Sequence, residues 1–305
     1  VTARRVDILI CTFCRPEVVR TLESLAAMDG PADIAIRVVI ADNDDTPSAR
    51  DVVQGAAADL PWPIHYIHAP ARNISVARNA CLDAADADYI AFLDDDEWVA
   101  ADWLSQLLAT ARSDGADAVF GPVIAAYDDT APDWIRAGDY HSSYPVRRNG
   151  QVETGISGNA LLRWGDDVPW TGERFDLARG RSGGEDTEFF FRLRRAGARF
   201  EICDTARAWE SVPQARLSLR WLARRRYRMG QSYAVSATSN AQRIKLGLAA
   251  LGKAGYCAAA ALLCAPAQAR RNRWILRSLL HVGVCAGCLS LPQSEHYGTP
   301  SQYTA

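Results

Sequence analysis

Residues 89–97 read Tyr89-Ile90-Ala91-Phe92-Leu93-Asp94-Asp95-Asp96-Glu97, an apolar run that ends abruptly in four carboxylates. Apolar residues without alternation mark a strand buried on both faces. Three earlier runs share that character, Val6–Phe13, Arg37–Asn43 and Ile64–His68. Helical stretches at Glu17–Met28, Ser48–Ala58 and Ser75–Ala85 separate them. Repeated βα units predict a parallel sheet with helices on both faces. Pro16 suits the first turn of the helix after the first strand. Ligands of such sheets bind at the carboxyl ends of the strands, where Cys11–Arg15, Ala41–Asp44 and Leu93–Glu97 fall.

Beyond Asp96 the alternation weakens. A helix is expected at Ala101–Arg112, a strand at Asp117–Ala126, a helix at Glu185–Ala196 and a closing strand at Arg199–Cys203. The Gly-, Asp- and Trp-rich stretch between, up to Gly184, is too long for an idle connection and reads as a substrate-binding region. The turn after the first strand, Cys11-Thr12-Phe13-Cys14-Arg15-Pro16, contains no glycine, which argues against a dinucleotide fingerprint, and no Walker A loop is present.

The chain has 305 residues, 49% hydrophobic, 23% charged and 9% aromatic, which excludes collagen-like, low-complexity and wholly disordered classes. Its net charge of -2 hides a division: residues 1–210 carry a net -14 and residues 211–305 a net +12. An acidic body and a basic tail imply two jobs. The first apolar run is too short for a signal-peptide core, so the body is expected in the cytoplasm. Eight cysteines include two C-x-x-C pairs, Cys11/Cys14 and Cys285/Cys288, at opposite ends of the chain. Reduced thiols are the expectation.

Four crowded carboxylates repel unless a cation neutralises them, and hard oxygen ligands favour Mg2+ or Mn2+, which can bridge a diphosphate. A second acidic group, Gly183-Gly184-Glu185-Asp186-Thr187-Glu188, opens a helix. A carboxylate there could take a proton from a hydroxyl nucleophile, and could equally only stabilise the helix N-terminus. Arg15, Arg72 and Arg78 lie beside the strand ends, where guanidinium forks suit diphosphate oxygens.

Taken in order, Thr12-Phe13-Cys14-Arg15, Val38–Asp44, Ala77–Asn79, Phe92–Glu97, Gly158-Asn159 and Gly184–Leu193 resemble the family-2 glycosyltransferases of the GT-A fold. The resemblance covers about residues 5–205, and the forms of residues 72–79, 94–97, 184–189 and 221–230 look like the bacterial exopolysaccharide branch, close to the glucosyltransferases of succinoglycan assembly. It implies a mainly parallel mixed sheet over 1–210, with a nucleotide-binding half at 1–96 and an acceptor-binding half at 97–210, followed by a basic helical region at 211–305. Thr12, Arg15, Asp42 and Asp44 would hold the uracil and ribose side of a UDP-sugar, with Arg72 or Arg78 near the nucleotide. Asp94, Asp95 and Asp96 match the D-x-D region. Asp96 would be the favoured metal ligand and Asp94 a second, with Asp94 and Asp95 nearer the ribose. Asp186 matches the general base. Many relatives carry a metal-binding histidine after the last strand; here Ala208-Trp209-Glu210-Ser211 places Glu210 in that region. The Q-x-x-R-W of processive enzymes is absent, since Leu217 precedes Arg220-Trp221, which favours addition of one sugar.

The implied reaction is inverting, metal-dependent transfer of a hexose, glucose by resemblance, to a lipid-linked oligosaccharide at the cytoplasmic face of the inner membrane. A metal-dependent nucleotidyltransferase, which would release pyrophosphate, and a non-catalytic sugar-nucleotide binder are the alternatives. Six arginines between Arg216 and Arg228 interleave with Leu217, Leu219, Trp221, Leu222 and Tyr227, a pattern for an anionic membrane surface. Nucleic acid fits poorly beside an acidic body. Leu246–Ala265 is long enough to span, but its Ala and Gly content and its basic flanks favour interfacial or core-packed helices.

Overall fold

The computed structural model describes residues 5–293 and Tyr297. The described residues form two compact units, one comprising 5–124, 142–211 and Tyr297, the other 125–141 and 212–293.

The first unit alternates as expected: β1 (Arg5–Thr12), α1 (Val18–Ala26), β2 (Ala35–Asp42), α2 (Arg50–Ala57), β3 (Ile64–His68), α3 (Ile74–Ala84) and β4 (Tyr89–Asp94). There follow β5 (Glu97–Val99), α4 (Trp103–Asp114) and β6 (Ala118–Phe120), after which β7 (Val123–Ala126) leads into the second unit, where α5 (Asp133–Gly138) lies. The chain returns through a hairpin of β8 (Arg147–Arg148) and β9 (Gln151–Val152), then β10 (Asn159–Arg163), α6 (Glu185–Arg195), β11 (Phe200–Ile202) and β12 (Ala208–Ser211).

The main sheet runs β11-β6-β10-β4-β1-β2-β3. Its pairs are parallel except those of β10, which is antiparallel to both β4 and β6. Register fixes the site: Thr12 lies opposite Asp42, and Cys11 lies between Ala41 and Asp94. Alternate residues of the central strands feed two cores. Val6, Ile8, Ile10, Val38, Ile40 and Leu93 pack with α1 and α4 through Leu22, Leu25, Trp103 and Leu107. Leu9, Val39, Ile90 and Phe92 pack with α3 and α6 through Cys81, Phe189 and Phe190. Covering on both faces is why these strands read as unbroken apolar runs.

Two expectations need correction. The strand expected over Asp117–Ala126 is broken into β6 and β7 at Gly121-Pro122. A Cβ on Gly121 would lie 2.2 Å from the Ala206 carbonyl, and the Pro122 carbonyl accepts from the Ala208 N–H (3.1 Å) and Asn159 Nδ2 (3.0 Å). The acceptor half expected at 97–210 is also interrupted, because residues 125–141 belong with the C-terminal helices. Ile135 and Tyr140 share a core with Leu222 and Leu276.

The second unit is otherwise helical: α7 (Leu219–Tyr233), capped by the Ser218 hydroxyl, α8 (Asn240–Leu263), capped by Ser239, and α9 (Gln268–Cys288). Gly230 and Gly283 let α7 and α9 approach closely; a Cβ on Gly283 would meet the Tyr227 carbonyl at 1.9 Å. α8 buries Ala250, Ala254, Cys257 and Ala261 and exposes Ile244, Leu248, Leu251, Leu262 and Leu263. By length and composition it is the one described helix able to cross a membrane. All eight cysteines are free thiols.

Candidate active site

The turn after β4 is built by charge pairing. The Arg15 guanidinium lies between Asp95 (2.9 Å) and Asp96 (2.5 Å), and the Asp95 carbonyl accepts from the Thr21 hydroxyl. Burial and the charge of Asp96 push Asp95 up to about 7, against the pull of Arg15. Asp94 is raised by burial and by Asp96, with Arg78 opposing. Its backbone N–H donates to Glu97, which burial, Asp94 and Asp96 push well above the usual carboxylate range.

Gly158 makes room for this cluster, since a Cβ there would lie 2.5 Å from Glu97 Oε1 and 3.4 Å from Asp94 Oδ2. Asn159 locks the adjoining strands by accepting from the Trp103 indole and donating to the Pro122 and Ala206 carbonyls. Glu210 lies directly opposite Glu97 in the β5–β12 pair, so it does enter the acidic neighbourhood.

The second acidic group meets the first through one buried cation. Arg78 is 6% exposed, bonds Glu185 and reaches Asp94 at 3.5 Å. Glu185 is 2% exposed, and burial lifts it to about 7 although Arg78 pulls the other way. Asp186, beside it at the start of α6, is half-buried and accepts from the Thr187 N–H at 2.6 Å. The left-handed backbone at Gly183 (φ 89°) and Gly184 (φ 82°) sets the entry into this helix. Glu188 is turned to Arg192 at 2.8 Å.

Other expected residues divide. Thr12 is buried at the end of β1. Asp42 is fully buried and accepts from the Asp44 and Ala49 N–H groups and the Tyr66 hydroxyl, so here it shapes the turn after β2. Asp44 is half-buried; burial raises its pKa, but the Cys14 thiol, Ser48, the Asp45 N–H and Arg72 outweigh that and lower it. Arg72 is exposed by comparison with Arg78 and pairs with Asp45.

Sequence reasoning gave no role to three asparagines. Asn43 donates to the Ala69 carbonyl and accepts from the Asn73 N–H, tying the end of β2 to the start of α3. Asn73 caps α3 and donates to the Leu177 carbonyl, while Asn79 exchanges two bonds with the Phe175 backbone. Together they fasten the approach to the Glu185-Asp186 pair onto α3. For Asn73 and Asn79 the available signal was their place within residues 72–79, and for Asn43 its place in the turn after the second apolar run.

Strand ends lined with carboxylates and guanidiniums, a mixed sheet with one reversed strand, and a separate acidic helix start define a glycosyltransferase of the GT-A fold. Residues 7–166 match the family described as Glycosyl transferase family 2, and residues 89–295 match Glycosyl transferase family group 2. The chain belongs to glycosyltransferase family 2. It is 49% identical over 296 residues to the succinoglycan biosynthesis protein ExoM of Rhizobium meliloti, covering 96% of each chain. Its fold is similar to the mannosyltransferase PcManGT of Pyrobaculum calidifontis, solved with GDP-Man and Mn2+, at TM-score 0.63 and 18% identity, over 94% of this chain and 87% of that one. It is also similar to a fragment of S. aureus TarS solved with UDP, at TM-score 0.52 and 15% identity, over 76% and 70% of the two chains.

Among the described residues no three His, Cys, Asp or Glu side chains converge into a ready metal cage. The donor chemistry nevertheless fits a divalent cation: Asp94 and Asp96 are hard oxygen donors crowded among like charges, and a diphosphate would supply further oxygens.

Proposed function

We propose that this chain is an inverting hexosyltransferase that moves one sugar, glucose in our reading, from a UDP-sugar to a lipid-linked oligosaccharide in succinoglycan-type exopolysaccharide assembly. It works at the cytoplasmic face of the inner membrane, held there by the second unit. The similarity to ExoM supports the pathway, and the pairing of an acidic strand-end turn with a separately held Asp186 carries the reaction type. A Mg2+ or Mn2+ ion held by Asp94 and Asp96 would neutralise charge on the departing diphosphate.

Arg15 keeps the Asp95–Asp96 turn compact, and Thr12, Asp42 and Asp44 shape the nucleotide side. Arg72 stands at the mouth of that side, near Asp44. Asp186 removes the proton from an acceptor hydroxyl as its oxygen bonds to the anomeric carbon; the carbon–oxygen bond to UDP breaks and UDP leaves with the electron pair. A single displacement inverts the centre. Glu185 is a poor rival for the base, because its carboxylate is buried against Arg78.

Substituting Asp186→Asn tests the assignment. We expect UDP-sugar affinity within about twofold of the parent and transfer lowered at least about a hundredfold. Near-normal transfer, or a larger selective loss in Glu185→Gln or Glu188→Gln with donor affinity kept, would move the base elsewhere.

A further inference from the structure

The first turn of α6 carries Asp186, yet no cap of its own fixes that turn. The helix is entered through Gly183 and Gly184, both left-handed, and no side chain caps its N-terminus. A glycine pair leaves the entry angle open. Glu185 supplies the hold that the entry lacks. It is 2% exposed and bonds Arg78 of α3 through Oε1, while its Oε2 has no hydrogen-bond partner among the described residues. Thr154 steadies another side of the turn by donating to the Thr187 carbonyl at 3.0 Å.

Three elements thus converge on one guanidinium. Nη1 of Arg78 bonds Glu185 at the start of α6, and Nη2 reaches Asp94 at the end of β4 at 3.5 Å. The Phe175 ring walls this joint, its centroid 5.4 Å from the guanidinium carbon. That ring stacks on Phe189 of α6 at 4.2 Å and meets Phe92 of β4 edge-on at 5.8 Å, so apolar packing ties the same elements. Burial opposes the Arg78 charge, but Glu185, Asp94 and, more weakly, Asp186 outweigh it and raise the pKa. The charge of Asp186 therefore acts on this guanidinium too. With 6% of its surface exposed and an acid on each arm of its fork, Arg78 faces protein rather than a diphosphate. Only a fork spans two carboxylates on different elements, because a lysine ammonium is a single point charge.

We propose that Arg78 is a positioning residue and not a nucleotide ligand: through Glu185 it fixes the first turn of α6, and so the Asp186 carboxylate, against the Asp94 end of β4. Its effect on transfer rests on the reading of Asp186 as the base.

The test compares R78M, E185Q, R78M/E185Q and R78K in the full chain. Ile36→Ala, a buried change at the amino end of β2, serves as a variant that loses stability away from the turn. UDP-sugar affinity is measured by calorimetry, kcat at saturating donor, and hydrogen exchange at the amides of residues 188–191, which bond back to the first turn. We expect R78M to lower kcat about thirtyfold and E185Q about tenfold, each less than Asp186→Asn, with donor affinity kept within about threefold. Independent roles would multiply to about three-hundredfold in the double variant, whereas a shared joint gives no more than about threefold beyond R78M alone. R78K should fall between the parent and R78M. Exchange at residues 188–191 should quicken at least about tenfold in R78M and stay at the parent rate in Ile36→Ala. Donor affinity weakened about tenfold or more with kcat kept would make Arg78 a nucleotide ligand and overturn the proposal. Multiplicative losses in the double variant, unchanged exchange in R78M, or an equal loss of kcat in Ile36→Ala would each overturn it as well. Near-normal transfer by Asp186→Asn would count against the base, while the exchange comparison would still decide whether Arg78 holds the turn.

Discussion

Arg15 and Arg78 explain how one cleft tolerates so many carboxylates. Each guanidinium sits between two acids, Asp95 with Asp96 and Asp94 with Glu185, so repulsion is relieved in pairs while Asp94 and Asp186 keep part of their surface open. In Asp96→Asn the proposed ion loses a charged ligand and Arg15 loses one of its two acidic neighbours in the turn. Donor binding in the presence of Mn2+ is expected to weaken at least about tenfold, measured by calorimetry with and without the metal. Unchanged affinity and unchanged metal dependence would remove Asp96 from the ion's ligands. Both acidic motifs were legible in the sequence, because carboxylates crowd where an apolar run stops or a glycine pair opens a helix. The bond from Arg78 to Glu185 was not, because the partners are 107 residues apart and only the folded sheet brings them together.

At the scale of elements, α3 acts as a dock for the segment that leads to α6. Asn79 exchanges bonds of 2.7 and 2.9 Å with the Phe175 backbone, and a Cβ at Gly180 would fall 1.7 Å from Asn73 Oδ1. Asn79→Ala leaves a backbone N–H and a carbonyl without their partners and is expected to cost about 1–3 kcal/mol of stability, read from urea unfolding. It should also lower kcat more than donor affinity, because the dock positions the acidic helix start. A variant with parent stability and parent kcat would contradict the docking role. The βα repeats were readable since each strand is a buried run followed by an amphipathic helix. β10 was not separated from its surroundings, because Asn159–Arg163 is short, and its reversed direction depends on its neighbours β4 and β6. β5 and β12 pair by tertiary contact, and the break at Gly121-Pro122 needed the Ala206 carbonyl in view.

For the whole molecule, the charge division in the sequence maps closely onto two compact units, with residues 125–141 the exception that hydrophobic packing with Leu222 and Leu276 explains. Folding stability of the second unit should depend on His141. Its folded pKa of about 4 lies below the ordinary value, so the unfolded chain binds more protons between about pH 4 and 6.5. The stability due to its neutral form is therefore present above about pH 6.5 and is lost as pH falls toward 4. In the His141→Gln chain that acid loss should be reduced relative to the parent in a Tm series across this range; parallel curves would show that the imidazole is not the titrating group. The proposed transfer is tested most directly by giving the full chain a lipid-linked precursor, Mn2+ and a panel of UDP-sugars, then measuring sugar transferred, nucleotide released and the anomeric configuration of the product. One UDP released for each hexose transferred is expected, with UDP-glucose the productive donor and the configuration inverted. Release of pyrophosphate, or a product with retained configuration, would contradict it.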